Sequence, residues 1–585
     1  MSHHIHPEPA QQSPSTPSRR GILRAMGAGG LALGLGPMIA SSASANTAQA
    51  LQQSRAVRNG SAKLLTVLET ADIHGQLDTH DEFFWENGGP VFRRTGGMAR
   101  IQTLVDRVRR ENAPGTILVD GGDCFQGSGW AALSEGAAMA PVMRHLKYDA
   151  VIPGNWEVVY GKQQLLDVMG DYGAPIVSTN MYHDQGGSPG AYLFKPVHVR
   201  VFNGVRVGFL SFNDPMVPVR QDPSYSVGIK FTFPEENAAE WVRHLREERE
   251  CDVVMAITHM GIAQQVDLAS RDYMEGVDYI LGADTHERIR EPLQGTHAAV
   301  TEPGAFGSFV GRLDLVVENG KIKDAAYDLM EVAEAEFDED PRMRVVVDQV
   351  QAPYKAELSQ VLGTTSTPLF RYYPIETPMD NLITDALYEA TAEELAKQGR
   401  TVDVALSNGF RFCPPLVPKG GGTADITREY LWSMLPVNAG ARVATVPGSL
   451  LKAWMEKELN NVFAKDPLQR FGGWVVRMSG MEVNFTADAA MGQRVNSIRI
   501  DGEEVDASRS YTFVACERAG DPEDVLCRIK GVSDRQDLSF TLHEAVEWYL
   551  AKHSPVAPQQ EGRVTATDLP STVLGQLPGT NYQFR

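Results

Sequence analysis

The sequence predicts an α/β protein with two domains, and three observations support this fold class. The chain has 585 residues, which is too long for a single hydrophobic core. Short apolar runs typical of buried strands alternate with segments in which apolar residues recur at helical spacing. Polar clusters of Asp, Asn and His follow several of these runs, as expected where an open α/β sheet binds a ligand.

The N-terminal residues predict an export signal rather than part of the fold. Arg19 and Arg20 precede an apolar, glycine-rich run over residues 25–40, and Ala43-Ser44-Ala45 is typical of a signal-peptidase site. The paired arginines indicate the twin-arginine route, so we expect a signal peptide over residues 1–45 and a periplasmic protein. A transmembrane anchor is the alternative, but the apolar run is short and contains five glycines and a proline.

The first domain is predicted over residues 62–335, after a flexible lead-in over 46–61. Its predicted elements, in chain order, are a strand at 64–68, a helix carrying Met98, Ile101, Leu104, Val105 and Val108, and strands at 116–119, 150–153, 207–212, 253–257 and 279–281. Strands that alternate with helices in this way indicate a layered α/β domain.

A charged segment and a helix are predicted to link the two domains. Residues 336–344 carry the charges, residues 345–361 show helical spacing, and the linker is predicted over 336–364. A second mixed α/β domain is predicted over 365–585.

Composition excludes some classes of partner. The formal charge of -20 argues against nucleic acid and anionic membranes, because both attract basic surfaces. We also expect a monomer and not an integral membrane protein. An anionic substrate would need a local reversal of charge, which a metal ion can supply. The five cysteines lack the spacing of a zinc ribbon or a disulfide framework, although Cys516 and Cys527 could pair.

Polar side chains follow five of the predicted strands. In chain order they are Asp72 with His74, Asp123, Asn155, His259, and Asp284 with His286. The carboxyl ends of the strands of an open α/β sheet share one edge, so these residues can converge on one site. Side chains alternate along an extended segment, so each Asp-x-His pair is predicted to present both side chains on one face.

These seven side chains predict a site for two metal ions. One ion that keeps an open position does not need seven ligands, whereas two ions sharing a carboxylate accommodate them, and Asp123 is the predicted bridge. Paired ions lie about 3.5 to 4 Å apart and activate a water molecule. The oxygen-rich donor set favours manganese, with zinc possible. Taken singly, Asp72 or Asp123 could be a helix N-cap and His259 a hydrogen-bonded core histidine.

Sequence motifs add a resemblance to a known family. They are "ADIHGQL", "VDGGDCFQGS", "PGNWE", "ITHMG", "GADTHER", "MDNLITDALYEAT", "LSNGFRF" and "ADITREYLWSMLPVNA". Together they resemble the calcineurin-like metallophosphoesterases of the 5'-nucleotidase group over about residues 62–585. The resemblance implies a four-layered catalytic domain, a linker helix and a 5'-nucleotidase-like C-terminal domain.

The resemblance also implies roles for individual residues. It assigns Asp72, His74, Asp123 and His286 to one metal, and Asp123, Asn155, His259 and Asp284 to the other. Arg411 matches an arginine of the C-terminal domain that clamps the substrate anion, and Asn408 lies in the same motif.

Three departures from the nucleotidase pattern narrow the prediction. Trp156 stands where nucleotidases have a histidine after the asparagine, Asp284 stands where they have a histidine ligand, and Pro522 with Glu523 replace residues of the base-binding segment. These departures resemble the SoxB-type sulfate thiohydrolases of periplasmic thiosulfate oxidation. That resemblance implies two manganese ions and a SoxYZ-type carrier protein with a cysteine S-sulfonate on its glycine-rich C-terminal arm.

The sequence thus predicts that hydroxide activated by two manganese ions releases sulfate from the carrier. Asp123, Asn155, Trp156 and Arg411 are the predicted catalytic residues, and Trp156, Asn408 and Arg411 are predicted to bind substrate. Two alternatives stay open: an exported 5'-nucleotidase or other phosphoesterase, and a non-catalytic subunit that docks the carrier. Trp156 could also simply fill core volume.

Overall fold

The computed structural model describes residue 57 and residues 59–407, 413–470, 473–518 and 520–574. The predicted signal peptide and most of the lead-in lie outside these residues, and so do Asn408 and Arg411. Within the described ranges, none of the helices has both the length and the apolar character needed to cross a membrane.

Two sheets face each other in the first domain. The first contains, in order across it, β16 (Lys321–Glu331), β15 (Phe309–Glu318), β1 (Lys63–Thr70), β4 (Thr116–Asp120) and β5 (Ala150–Val151). The second contains β13 (Leu293–Gln294), β14 (Ala299–Thr301), β12 (Tyr279–Ala283), β11 (Val253–His259), β9 (Val205–Asn213) and β8 (Val197–Phe202). Strands β1, β4 and β5 are parallel, and so are β9, β11, β12 and β14. Each sheet therefore has one edge formed by the carboxyl ends of its parallel strands.

Helices cover the outer face of each sheet. On the first sheet lie α1 (Met98–Glu111), α3 (Met139–Leu146), α4 (Gly161–Gly170) and α8 (Pro341–Gln351). On the second lie α6 (Ala238–Arg243) and α7 (Ile262–Leu268). Val67, Val119, Phe209 and Ile257 are buried in the apolar core between the two sheets. The predicted four-layered α/β architecture is confirmed.

Shorter elements connect these layers. They are α2 (Gly129–Leu133), α5 (Val217–Arg220), the hairpin of β2 (His80–Glu86) and β3 (Gly89–Thr95), the small sheet of β6 (Met181–Gln185), β7 (Ser188–Tyr192) and β10 (Ile229–Phe231), the 3₁₀ turns Pro234–Glu236 and Asp272–Met274, and the π-helical turn His244–Glu248.

The linker differs from the single helix predicted over residues 345–361. Helix α8 begins at Pro341, where Asp340 caps it by accepting hydrogen bonds from the Arg342 and Met343 amides. It ends at Gln351, and a separate turn, α9 (Lys355–Leu358), follows. Met343 and Val347 pack in the helical layer of the first domain, so α8 belongs to that domain's core.

The second domain is also mixed α/β. Its strands are β17 (Val361–Thr365), β18 (Val404–Ser407), β19 (Ala424–Thr427), β20 (Gly440–Pro447), β21 (Arg477–Ser479), β22 (Met481–Phe485), β23 (Val495–Ile500), β24 (Glu503–Glu504), β25 (Ser510–Cys516), β26 (Val525–Leu526), β27 (Ile529–Lys530), β28 (Ser533–Thr541) and β29 (Val564–Ala566). Its helices are α10 (Pro378–Ala396), α11 (Arg428–Met434), α12 (Gly448–Phe463) and α13 (Leu542–His553), with a 3₁₀ turn at Pro467–Gln469. The main sheet has the order β21-β18-β25-β20-β28, with α10 and α13 on one face and α12 on the other.

Side chains from both domains meet beside the strand ends of the first domain. Gln126 Nε2 donates to the Pro436 carbonyl at 2.6 Å, and Arg518 donates to the Gln221 carbonyl at 2.7 Å. Phe83 of the β2–β3 hairpin stacks on Tyr372, with ring centroids 4.6 Å apart. These contacts place the second domain over the carboxyl edge of the two sheets.

Candidate metal centre

The predicted ligands come together at the carboxyl ends of the parallel strands. Asp72 and His74 follow β1, Asp123 follows β4, and Asn155 follows β5. His259 is the last residue of β11, while Asp284 and His286 follow β12. The first sheet therefore supplies one half of the site and the second sheet supplies the other. Asp72, His74, Asp123 and His259 are almost fully buried, whereas His286 is partly exposed.

The backbone of the two Asp-x-His pairs is left-handed rather than extended, which corrects their predicted geometry. Five of the seven ligands have positive φ: Asp72 (52°), His74 (51°), Asp123 (58°), Asp284 (88°) and His286 (63°). Left-handed backbone is uncommon outside glycine and costs about 1 to 3 kcal/mol per residue, so tertiary contacts must hold it. The side chains converge through tight turns after each strand rather than through strand alternation.

Two groups of side chains place ligand atoms close enough to hold a cation. The first is Asp72, His74 and His286, and the second is Asp72, Asp123 and His259. In the first group, His74 Nε2 and His286 Nε2 are 3.1 Å apart, and Asp72 Oδ1 lies 3.4 Å from His286 Nε2. In the second, His259 Nε2 lies 3.2 Å from Asp123 Oδ2 and 3.9 Å from Asp72 Oδ1.

The shared carboxylate has two candidates. Asp123 Oδ2 lies 3.9 Å from His74 Nε2 and 3.2 Å from His259 Nε2, as the predicted bridge requires. Asp72 Oδ1 is also within 4.0 Å of the Nε2 atoms of His74, His259 and His286, and sequence reasoning did not single it out for this position. Its position predicts that Asp72 contributes charge to both halves of the centre.

The tautomers of two histidines fit metal ligation. His74 Nδ1 lies 2.8 Å from the Gln126 carbonyl oxygen, and His259 Nδ1 lies 2.7 Å from that of Gly121. A carbonyl only accepts, so each Nδ1 carries a proton, and in the neutral ring Nε2 is the atom left to face a cation. Metal-binding histidines are held in this way. His259 Nε2 is also buried without a hydrogen-bond partner within the described residues, although Asp123 Oδ2 lies 3.2 Å away.

Electrostatics also indicate a place for positive charge. Burial alone would lower the pKa of His259, but Asp123, Asp72 and Asp284 raise it well above its usual value. Burial would likewise raise the pKa of Asp123, and the neighbouring His259 and His74 lower it instead. A cluster of carboxylates that attracts a proton to a buried imidazole is suited to a divalent cation. The residues therefore fit a dinuclear metal centre.

Glu157 holds the loops that carry Asp123 and Asn155, and sequence reasoning missed it. Its carboxylate accepts hydrogen bonds from the backbone amides of Asp123 (2.9 Å), Cys124 (2.5 Å) and Gly154 (2.6 Å). Burial, and after it the charge of Asp123, raise the pKa of Glu157 to about 8. A glutamate two residues after a candidate asparagine ligand in "GNWE" was the available signal.

The amide of Asn155 and the ring of Trp156 flank the centre on one side. Asn155 Nδ2 donates to Asp284 Oδ1 at 2.6 Å, and Asn155 Oδ1 accepts from Gln221 Nε2 at 3.3 Å. The two ends of a carboxamide have nearly the same shape, so its oxygen can also face a cation. The Trp156 amide donates to Asp123 Oδ1 at 2.8 Å, and its ring packs beside Ala305 and Phe306.

A cavity of about 470 Å³ opens from the metal centre towards the second domain. On the catalytic side its wall includes His74, Asp123, Asn155, Trp156, Asp284 and His286. On the other side it includes apolar residues of the second domain, among them Ile383, Leu387, Leu406, Leu435 and Leu542. The second-domain side also carries the polar residues Ser407, Glu517, Arg518 and Arg528, so apolar and charged surfaces both face the cavity there.

Arg220, which lines the cavity, is a second residue that sequence reasoning missed. It ends the short helix α5, and Nη1 donates to Asp214 Oδ2 at 2.5 Å and to Asp284 Oδ2 at 3.2 Å. No sequence motif marks it, because its partners are distant in the chain or belong to an irregular loop.

Cys124 is buried next to Asp123 and is not placed to act as a nucleophile. Its Sγ donates to Asp120 Oδ1 at 3.0 Å. Burial and the surrounding carboxylates raise the pKa of its thiol well above the usual value, which suppresses the reactive thiolate. The cysteines at 124, 251, 413, 516 and 527 are all free thiols, so Cys516 and Cys527 are not paired.

Two family models match the chain, one on each domain. The calcineurin-like phosphoesterase model matches residues 65–288, and the C-terminal domain model of 5'-nucleotidases matches residues 361–517. The chain therefore combines a calcineurin-like phosphoesterase domain with a C-terminal domain of the 5'-nucleotidase type. Calcineurin-like phosphoesterases bind a dinuclear metal, so the family match and the donor geometry agree, and members of the family are hydrolases.

Similar proteins differ in the activity that their names give. The trifunctional nucleotide phosphoesterase protein YfkN of Bacillus subtilis is 24% identical over 552 residues, which is 87% of this chain; the chain spans about a third (35%) of YfkN. The sulfate thiohydrolase SoxB of Thermus thermophilus superposes with a TM-score of 0.76 at 21% identity, over 87% of this chain and 98% of SoxB. A 5'-nucleotidase precursor, also from Thermus thermophilus, superposes with a TM-score of 0.71 at 22% identity, over 87% of this chain and all (100%) of its own. At these identities the structural similarity establishes the fold.

Proposed function

We propose that this protein is a sulfate thiohydrolase that releases sulfate from a cysteine S-sulfonate. The observation that carries the proposal is the position of Trp156. Trp156 lines the cavity together with Asp123 and Asn155, and its neutral indole contributes neither a proton nor a positive charge to a departing group. The site therefore suits a leaving group that departs without such help.

The leaving group distinguishes sulfonate transfer from phosphate-ester hydrolysis. A phosphate ester expels an alkoxide, so an acid or cation beside the departing oxygen accelerates the reaction. An S-sulfonate expels a sulfur anion, and thiols have pKa values near 8.5. A neutral tryptophan is compatible with the second reaction and unfavourable for the first.

The chain's own residues would hold two divalent cations, with manganese as the favoured metal and zinc possible. The predicted ligands are Asp72, His74, Asp123, Asn155, His259, Asp284 and His286. When bound, such a pair supplies a water molecule of lowered pKa and positive charge near the sulfonate oxygens. The negative charge of the Asp284 carboxylate would repel a phosphate dianion. It would repel a sulfonate less, because a sulfonate carries only one negative charge.

In the proposed reaction a water oxygen forms a bond to the terminal sulfur of the S-sulfonate. The sulfur–sulfur bond breaks, the inner sulfur keeps the electron pair, and the products are the carrier thiol, sulfate and one proton. Trp156 would exclude solvent from one side, and Asn155 and Asp284 would fix the geometry around the sulfonate. Arg411 and Asn408 are predicted to bind the anion from the second domain.

The proposed substrate is the glycine-rich C-terminal arm of a SoxYZ-type carrier protein. A glycine-rich arm is narrow because glycine has no side chain. The cavity leads from the domain boundary to the metal centre, where such an arm could enter. Export by the twin-arginine route would bring the folded protein to such a carrier in the periplasm.

The test is release of sulfate from a glycine-rich peptide that carries one S-sulfonated cysteine. Manganese-loaded protein should release one sulfate per peptide, and a chelator should abolish the release. Asp123→Asn should reduce the rate by at least about 1,000-fold, because it removes charge from both halves of the centre. Sulfate release that persists unchanged in Asp123→Asn would refute the metal-centred reaction, and no release by the loaded wild type would refute the substrate.

A further inference from the structure

Arg220 lies where the metal centre and the cavity wall meet. The helix that carries it, α5, follows β9, and the last residue of β9, Asn213, pairs with His259 at the end of β11. Its guanidinium contacts Asp214 and Asp284 through Nη1, and its side chain lines the same cavity as His286 and Trp156. With 24% of the side chain exposed, the group is held by the protein and still reaches the cavity.

The two carboxylate oxygens of Asp284 have different partners: Oδ1 faces the metal centre and Oδ2 faces Arg220. Oδ1 accepts from Asn155 Nδ2 at 2.6 Å and lies 3.8 Å from His259 Nε2, whereas Oδ2 accepts from Arg220 at 3.2 Å. Arg220 therefore offsets the charge of the one carboxylate that replaces the histidine of the nucleotidase pattern. Anchoring by two carboxylates also fixes the plane of the guanidinium, which lowers the entropy lost when it binds a ligand.

We infer that Arg220 is an anion-contacting residue that makes the centre selective for a tetrahedral oxyanion held at the cavity wall beside Asp284. The inference rests on the proposed function for the identity of that anion, a sulfonate before the reaction and sulfate after it. A planar set of N–H donors matches the oxygens of such an anion, and Arg220 lines the same cavity as Asn155 and His286. The cation thus acts on the transferred group, not on the leaving sulfur.

Calorimetric titration of inorganic sulfate into the manganese-loaded protein tests this inference without any turnover. Arg220→Gln should weaken sulfate binding at least tenfold while elemental analysis still finds the wild-type number of metal ions per chain. Arg220→Lys, which keeps the charge and loses the planar donors, should recover part of the affinity. Arg243→Gln, which removes an exposed arginine from α6, is the matched control and should bind sulfate as the wild type does.

A second variant covers the case in which Arg220→Gln does not fold. Asp214→Asn removes a carboxylate that competes for the guanidinium, and its amide oxygen can still accept from the Met216 amide as Asp214 Oδ1 does at 2.8 Å. It should strengthen sulfate binding about threefold. Wild-type affinity in Arg220→Gln, or weaker binding in Asp214→Asn, would overturn the role of Arg220. Because sulfate binding needs no S-sulfonate hydrolysis, failure of the proposed function would leave this result interpretable.

Discussion

Asp123 is fixed from two directions before any metal binds. Its backbone amide donates to Glu157, and its Oδ1 accepts from the amide of Trp156, so only Oδ2 faces the histidines. The positive φ of Asp123 is tolerated because these contacts over-determine it. Asp123 is therefore preorganised, so little conformational entropy is lost when its side chain binds a metal ion.

Substitution of Trp156 tests whether the neutral side chain at this position limits hydrolysis of phosphate esters. Trp156→His places an ionisable group beside the scissile bond, so phosphate release from AMP should rise at least about tenfold. Trp156→Phe, which keeps an apolar ring, is the control and should show no such gain. Phosphate assays on matched manganese-loaded samples measure the effect, and equal rates for the two variants would remove the support for this argument.

Residue types and their place after strands sufficed to predict which side chains gather at the centre. The backbone conformation could not be predicted, because the left-handed φ values at Asp72 and His74 depend on contacts with the 122–124 loop. Arg220 and Glu157 escaped prediction for a related reason: their roles depend on partners brought together only by the fold. The anion-binding roles of Asn408 and Arg411 stay predictions.

The loop after β5 contacts the loop after β4 at Gly154, next to the predicted metal ligand Asp123. A Cβ atom on Gly154 would lie 2.1 Å from Asp123 Oδ1 and 2.4 Å from its backbone nitrogen. Gly154→Ala should therefore displace Asp123 and weaken metal binding about 10- to 100-fold.

The control for Gly154→Ala is a glycine with open space around it. Gly170 ends helix α4, and an added Cβ would meet no atom within 4 Å. Gly170→Ala should keep wild-type metal affinity and raise the free energy of unfolding by up to about 1 kcal/mol. Metal titrations on both variants measure the contrast, and wild-type affinity in Gly154→Ala would contradict the packing argument.

Helix α13 contains a buried histidine that makes stability depend on pH. His543 Nε2 donates to the Leu435 carbonyl at 2.7 Å, and its ring packs edge-on against Trp432 with centroids 4.4 Å apart. Burial lowers the pKa of His543 from 6.5 to about 4. As pH falls from about 6.5 to about 4, the unfolded chain binds a proton that the native protein does not, so stability falls across this window and levels off below it.

The variant that isolates this effect is His543→Gln, which retains a donor for Leu435. The loss of unfolding free energy between pH 6.5 and pH 4 should be smaller in the variant by up to about 3 kcal/mol. Urea unfolding of both proteins at a series of pH values measures the difference, in which the other titrating groups cancel. Parallel curves would show that His543 does not titrate as described.

At the scale of the whole molecule, the two domains are joined by contacts that also shape the active site. Gln76 Nε2 lies 3.4 Å from Ser433 Oγ, and the Val417 amide donates to Asp81 at 3.2 Å. Each of these contacts joins a residue of the first domain to one of the second. Periodicity predicted a layered α/β first domain, and the family resemblance implied its four layers, which the structure confirms. It did not predict these contacts or the break after α8, because both arise from packing between segments that are distant in the sequence.

If the proposed function holds, the metal centre should act on an S-sulfonate in preference to a nucleotide. The most direct measurement is kcat/KM for an S-sulfonated glycine-rich peptide and for AMP on one manganese-loaded preparation, by sulfate and phosphate release. The value should be at least about 100-fold higher for the peptide, since Trp156 is not an acid that could protonate a departing alkoxide. A higher value for AMP would contradict the proposed thiohydrolase activity and make the protein a phosphoesterase.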